Sequence, residues 1–538
     1  MIKEIGGEVS RGILLLAGGI YIIFPIILAL MVFLIFIRLS SHPPKESPKK
    51  EKFSPLFLWI TILLYCGVFG TMSILRYLSF HTAFFDLGVY DHAIWNIAER
   101  GDLSYLISGH FRPIVIVYSF FYKLFPSAIT LLLLQTLTIG LSAVPLYYIA
   151  KNKLGRGFYA LLIVIIYFLY SPVGYNNLFD FHVDHLLLLL MFSAFYFLEK
   201  NKPLAFFLVC LPGLFLKEPL ILSMGAMGLY AVVRYRMYKS GGILFASAVV
   251  LFYLIMSNVM PYLGRSSYAG IVLHRESFSY LGNNLFEAAK NLLLHPWIII
   301  EEIINAWKIG YLVFLFVPLL LIPLLSPLSF LPALPALAIS ILSHYKTHYW
   351  IQYQYTASVI PPVFLALIYG LKFLSERKSY LKTWFKKHLR ITLYKNQLLK
   401  ASLYTILAIS IYCNITLSSS PISVLFWKRL MRDYYKTSYI ITERDRILDD
   451  AIRRFISKEA SVTSQNTVNN SYLAHRAEYY SFVWGKKKTD YVVLDQKRAG
   501  FIRDEVYKRE YEEKLKKLPE NYQIIFSYDG IYIFERIK

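Results

Sequence analysis

Apolar residues fall in long unbroken runs separated by short polar stretches, the pattern of segments that cross a lipid bilayer. The runs predict membrane-spanning helices at 12–39, 55–79, 127–150, 157–172, 184–199, 203–216, 219–233, 243–260, 309–325, 328–343, 356–374 and 400–418. A further apolar piece, 113–125, is too short to cross and is read as interfacial or re-entrant. Two pairs have short members, 203–216 with 219–233 and 309–325 with 328–343. Either pair could be a re-entrant hairpin without changing the side of any other loop. The N-terminal run is too long for a signal-peptide core and its flank is nearly neutral, so it is read as a retained helix.

After about residue 419 the pattern changes to a polar, mixed-charge chain. A helical pattern at 443–457 and a charged helix at 502–517 stand among short strand-like runs at Ala460–Thr463, Tyr491–Leu494, Gln523–Phe526 and Ile531–Phe534. That alternation predicts a small α/β domain. The expected fold is an all-α transmembrane helical bundle of about twelve spans with a small extracytoplasmic α/β C-terminal domain. Residues 1–54 form an extra N-terminal helix and basic linker, 55–418 the multi-span domain and 419–538 the soluble domain.

Composition supports a membrane location and charge sets the sidedness. Of 538 residues, 56% are hydrophobic and only 17% charged, against about a quarter charged in soluble proteins. The net charge of +23 would suggest nucleic acid if the lysines shared a face. They lie instead in blocks between spans, where anionic lipid is the partner. The blocks are Lys45, Lys49, Lys50 and Lys52; Lys151, Lys153 and Arg156; Lys200 and Lys202; Arg234, Arg236 and Lys239; and 372–400, with nine Lys or Arg and one Glu. These five loops share one phase and are therefore expected on the cytoplasmic side of the plasma membrane. The opposite loops, including 80–112 and 173–183, and the C-terminal domain are then outside. The triplets Asn414-Ile415-Thr416 and Asn469-Asn470-Ser471 fit glycosylation sites there. Cys66, Cys210 and Cys413 have no metal-ligand spacing and suggest no disulfide framework.

The ionisable clusters gather in the outer loops. Loop 80–112 carries Asp86 and Asp91 and ends in His110 and Arg112. A helix is expected from Leu87 to about Glu99, with Asp86 either its N-cap or a catalytic carboxylate. Asp180, His182, Asp184 and His185 follow in six residues. They are compatible with a divalent metal, to which Asp86, Asp180, His182 and His185 are candidate ligands. Lys217-Glu218 divides two apolar runs, and ionisable groups at such depth commonly face a functional cavity. The 343–350 segment adds His344, Lys346 and His348, and Arg265, His274 and Arg275 lie in a long segment, 261–308, read as interfacial.

The chain resembles a prokaryotic family of polytopic membrane proteins known as domain of unknown function 2079. The resemblance rests on Phe85-Asp86-Leu87-Gly88 with Tyr90-Asp91 and Trp95, on His110-Phe111, on Asp180-Phe181-His182 and on Lys217-Glu218. Tyr472-Leu473-Ala474-His475-Arg476 and Asp490-Tyr491-Val492-Val493-Leu494-Asp495 add to it in the tail. Pro219 and Gln354 depart from it where an acidic residue and a His are expected. That family in turn resembles the GT-C glycosyltransferases, in which a long first outer loop carries an essential acidic residue. The resemblance implies Asp86, with Asp91 as alternate, for that role.

The expected function is transfer of a sugar from a polyprenyl-phosphate donor by an inverting, GT-C-like glycosyltransferase. Asp86 would serve as base or as the carboxylate that positions the acceptor, with Arg112, Lys217 and His110 on the donor phosphate and Asp180, His182, Asp184, His185 and Glu218 around them. A transporter or flippase for a lipid-linked or polar solute is a rival reading, as is a non-catalytic surface protein. The partners implied are membrane lipid and the lipid-linked donor, with no nucleic acid.

Overall fold

The computed structural model describes residues 24–39, 54–260, 277–282, 285–376, 383, 386–388, 396–428, 434–485, 487–501 and 505–537. Arg265, His274 and Arg275 lie outside the described residues, as do the lysines of 45–52 and the first half of the N-terminal run.

Helices dominate up to residue 417. Four are long and apolar enough to cross a membrane: Leu56–Leu78, Ala128–Leu154, Tyr238–Val259 and Gln397–Leu417. A fifth candidate is the pair Gly157–Leu169 and Ser171–Leu178, bent by 53°. The expectation of about twelve spans is therefore not met by continuous helices among the described residues. Proline is one reason, because it removes a backbone donor and clashes with the preceding turn. The 203–216 run becomes a helix Pro203–Cys210 followed by a 3-10 stretch at Leu211–Phe215 that contains Pro212. The 309–343 region breaks at Pro318, Pro323, Pro327 and Pro332 into short 3-10 pieces between the helices Ala306–Phe316 and Leu334–Leu342. The short 113–125 piece forms the ten-residue helix Val115–Leu124.

Several helices connect the same two ends of the bundle. Ala128–Leu154 begins where Ala128 N–H donates to Ser471 Oγ (2.9 Å) and ends beside Glu199, which pairs with Lys153. Leu186–Glu199 and Glu218–Tyr235 start at the 180–185 and 217–218 clusters and finish at that same glutamate, to which Tyr235 Oη–H donates at 2.5 Å. The 18-residue helix Glu218–Tyr235 is about 27 Å long, so the two polar clusters stand at opposite ends of the bundle. Glu218–Tyr235 packs on Tyr238–Leu254 through Gly228 and Gly241. A Cβ at either would come within 2.6 Å of the other's carbonyl oxygen, the close approach that small residues permit between membrane helices.

The C-terminal region forms a five-stranded sheet in the order β2-β1-β3-β5-β4, with β1 Val462–Ser464, β2 Tyr479–Ser481, β3 Tyr491–Asp495, β4 Tyr522–Tyr528 and β5 Ile531–Arg536. β1 is parallel to β2 and β3, while β5 is antiparallel to β3 and β4. Four strands match the sequence reading; β2, three residues long, was not visible in it. Helix Glu443–Phe455 starts in a capping box between Thr442 and Asp445, and Leu448, Ala451 and Ile452 on it pack in one core with Phe80 and Phe84 of the 80–112 loop. That shared core seats the sheet on the bundle. Both candidate glycosylation triplets are inaccessible: Asn414 is buried in a helix with its amide on Leu169 O (2.8 Å), and Asn469 is fully buried.

Candidate functional site

The 80–112 loop opens with a π-helical turn, Phe84–Gly88, before the α-helix Val89–Arg100. Such single π turns often occur at functional positions. Three consecutive amides at its start are tied to other elements. Ala83 N–H donates to Asp180 Oδ2 (2.7 Å), Phe84 N–H to the Asn466 carbonyl (2.7 Å) and Phe85 N–H to Asn466 Oδ1 (3.1 Å). Asp86 follows directly. It is not the expected N-cap: neither Ala83 before the turn nor Gly88 before the helix has a side-chain cap bond, and the Asp86 carboxylate turns elsewhere. Its Oδ1 lies 3.2 Å from His182 Nε2, with the Asp86 side chain one-quarter exposed and His182 buried.

His182 is held from below by Gln135, an isolated amide in the apolar Ala128–Leu154 helix. Gln135 Nε2 donates to the carbonyls of Asp180 (2.7 Å), Asn177 (2.9 Å) and Asn176 (3.3 Å), and its Oε1 accepts from His182 N–H at 3.0 Å. These bonds fix a loop in which Asp180 has a left-handed φ of 77°, a conformation Asp tolerates better than most residues. The His182 ring stacks on Phe179 (5.3 Å), and its Nδ1 has no partner among the described residues.

Cationic groups sit in the same neighbourhood. Arg112 is buried with its guanidinium 4.6 Å from the Tyr90 ring centre, and its Nε and one terminal nitrogen find no partner among the described residues. Tyr90 in turn packs edge-on against His182. Lys217, also buried, lies within electrostatic reach of Asp184, Tyr90, Tyr355 and Glu218, and Tyr355 within reach of both Lys217 and Asp86. One Asp184 carboxylate oxygen is buried without a partner among the described residues. Beside them Glu218 Oε1 holds His110 Nδ1 at 2.6 Å while its second oxygen accepts from Phe111 N–H (3.2 Å).

Three candidates have other duties. Asp180 pairs with Arg76 (2.9 Å), both buried, and so acts as a tie between helix Leu56–Leu78 and the π turn. His185 turns into the core, its Nδ1 on the His182 carbonyl and its Nε2 3.2 Å from Tyr118 Oη. Asp91 is fully buried against Tyr122 Oη–H and His475 Nε2 (3.2 Å), with His475 stacked on Trp95 at 5.5 Å. Five positions along a helical path rotate a side chain by about 140°, so Asp91 faces away from the Asp86 group and joins the sheet domain to the loop instead. The ligand set Asp86, Asp180, His182 and His185 is correspondingly split, and among the described residues no three His, Cys, Asp or Glu side chains form a metal-holding group.

Two half-buried histidines of the loop are shifted toward their neutral form. His92, whose Nδ1 meets Ala474 O at 2.7 Å, is pushed down to about 4 chiefly by burial. His81 is also lowered to about 4, by burial and then by Arg498 and Arg76.

Sequence reasoning assigned no role in the site to Gln135, Arg76, Tyr90, Tyr355 or Asn466. Gln135 carried a signal, a lone amide amid leucines at membrane depth. Asn466 carried none, since a polar residue in a polar loop is unremarked until the fold brings it to Phe84.

The fold and site define a polytopic membrane protein whose polar centre lies where the 80–112 loop meets a small sheet domain. The chain belongs to the family described as Predicted membrane protein (DUF2079), whose profile matches residues 76–533. No curated protein matches it. Among solved structures it is similar to ArnT from Cupriavidus metallidurans in the apo state, with a TM-score of 0.45 and 11% identity over 90% of this chain and 99% of that one.

Proposed function

We propose that the chain is a membrane glycosyltransferase that moves a sugar from a polyprenyl-phosphate donor to an acceptor at the outer face of the membrane. The observation that carries this reading is the Asp86 carboxylate: partly exposed, free of any capping duty and set against His182, with the buried cation Lys217 linked to it through Tyr355 and Arg112 through Tyr90 and His182. A carboxylate so placed can take the proton of an acceptor hydroxyl, a contribution of about 10²–10⁴-fold. The acceptor oxygen then bonds to the anomeric carbon from the side opposite the phosphate. The bond from that carbon to the phosphate oxygen breaks, and polyprenyl phosphate leaves with the electron pair. Arg112 and Lys217 stabilise that anion, a preorganised electrostatic term, and Arg112 offers guanidinium nitrogens that have no partner among the described residues. The lipid tail remaining in the bilayer fixes the donor's orientation.

The test is transfer by the full-length protein in liposomes supplied with polyprenyl-phosphate sugars. Asp86→Asn is expected to lower kcat about 10²–10⁴-fold, whereas Lys217→Met and Arg112→Met mainly raise the KM for donor. Full transfer activity in Asp86→Asn would remove Asp86 from the mechanism. Solute uptake without any covalent product would favour a transporter.

A further inference from the structure

The sheet domain supplies part of the Asp86 turn. Asn466, in the loop that follows β1, accepts two successive amides, Phe84 N–H through its backbone carbonyl and Phe85 N–H through its side chain. Neighbouring contacts hold that loop against the turn. Arg498 donates to the Ser79 (2.6 Å) and Phe80 (3.2 Å) carbonyls, and Tyr77 Oη accepts from Ser471 N–H at 2.8 Å. A Cβ on Gly88 would lie 2.6 Å from Asn469 Oδ1. The loop leaves the C-terminal end of a strand parallel to both its neighbours, the edge at which open α/β sheets usually place ligands. Here that edge is occupied by the bundle's own loop.

We propose that Asn466 is a positioning residue: it clamps the backbone immediately before Asp86 and thereby sets the carboxylate against His182. The clamp needs only an acceptor at the Asn466 side chain, so Asp can replace Asn and Ala cannot. For its consequence in catalysis the proposal rests on the glycosyltransferase reading; the clamp itself does not.

Two measurements on the full chain test it. In hydrogen exchange, Asn466→Ala is expected to speed exchange of the 83–88 backbone by about tenfold or more, the loss of roughly one hydrogen bond. Peptides of β3 and β5 should be unchanged, and Asn466→Asp should restore protection. In sugar transfer, Asn466→Ala is expected to lower kcat about 10- to 100-fold with KM nearly constant, as for misplacement of a reacting group, and Asn466→Asp to recover it. Unchanged exchange at 83–88 overturns the clamp, and so does a general loss of protection across the sheet that Asp does not rescue. If Asp86→Asn is inactive but Asn466→Ala turns over like the wild type, the positioning role fails and the glycosyltransferase reading stands. If no sugar is transferred by any form, that reading fails and exchange alone decides the clamp.

Discussion

Asp86 and Asp180 belong to one cluster, yet their partners give them opposite tasks. Asp180 is buried against the permanent charge of Arg76 and accepts a backbone amide. Asp86 lies against the His182 imidazole and keeps a quarter of its surface open. Asp180→Asn should therefore act on folding: it strands a buried guanidinium, at a cost of about 3–5 kcal/mol, visible as a lower thermal midpoint in detergent. Asp86→Asn should leave that midpoint nearly unchanged. Gln135→Leu is a second residue-scale test. It keeps the volume but leaves the carbonyls of Asn177 and Asp180 and the His182 amide without their partner, for which about 2–4 kcal/mol is expected.

The π turn draws its shape from packing, since its own sequence, Phe84–Gly88, contains no cap. Gly88 is the point of closest approach to Asn469, whose side-chain nitrogen and oxygen are both buried without partners among the described residues. Gly88→Ala should loosen the turn, and the double substitution Gly88→Ala/Asn469→Ala should recover most of the loss, because the alanine at 469 removes both the obstacle and two unsatisfied polar atoms. Thermal midpoints of the four proteins measure the coupling. The junction between loop and sheet should also weaken in acid. His92 binds a proton near 6.5 when unfolded and near 4 when folded, so the unfolded state holds more protons between those values and stability falls as pH drops through that window. The midpoint should decline from pH 7 to pH 4, and His92→Gln should flatten the decline.

At the scale of the whole molecule, helices that start at the Asp86 cluster end at the Lys153–Glu199 cluster, beside the basic residues Lys151, Lys200 and Arg234. The basic end should face the cytoplasm and the sheet domain the outside. Cysteine placed at exposed Lys488 should then react with a membrane-impermeant maleimide on intact cells, while cysteine at exposed Lys200 should react only after permeabilisation. Labelling in the reverse order would invert the topology and remove the outer-face assignment of the site.

Much of this was legible in the sequence because burial in lipid writes itself into local composition. The long apolar runs marked the helices, and β-branched and aromatic runs marked four of five strands. Lys217-Glu218 stood out as ionisable groups that are costly at membrane depth, and the outer segments 80–112 and 180–185 as clusters of ionisable residues. Span number was less legible, since proline splits apolar runs into short pieces whose composition still looks membrane-embedded. What no local pattern held was the choice among the carboxylates. Asp86, Asp91 and Asp180 are chemically alike, and the fold alone decides that one faces His182, one is locked by Tyr122 and one neutralises Arg76. That decision is made by contacts between residues up to several hundred positions apart, such as Asn466 with Phe85, which exist only once the sheet domain has docked on the bundle.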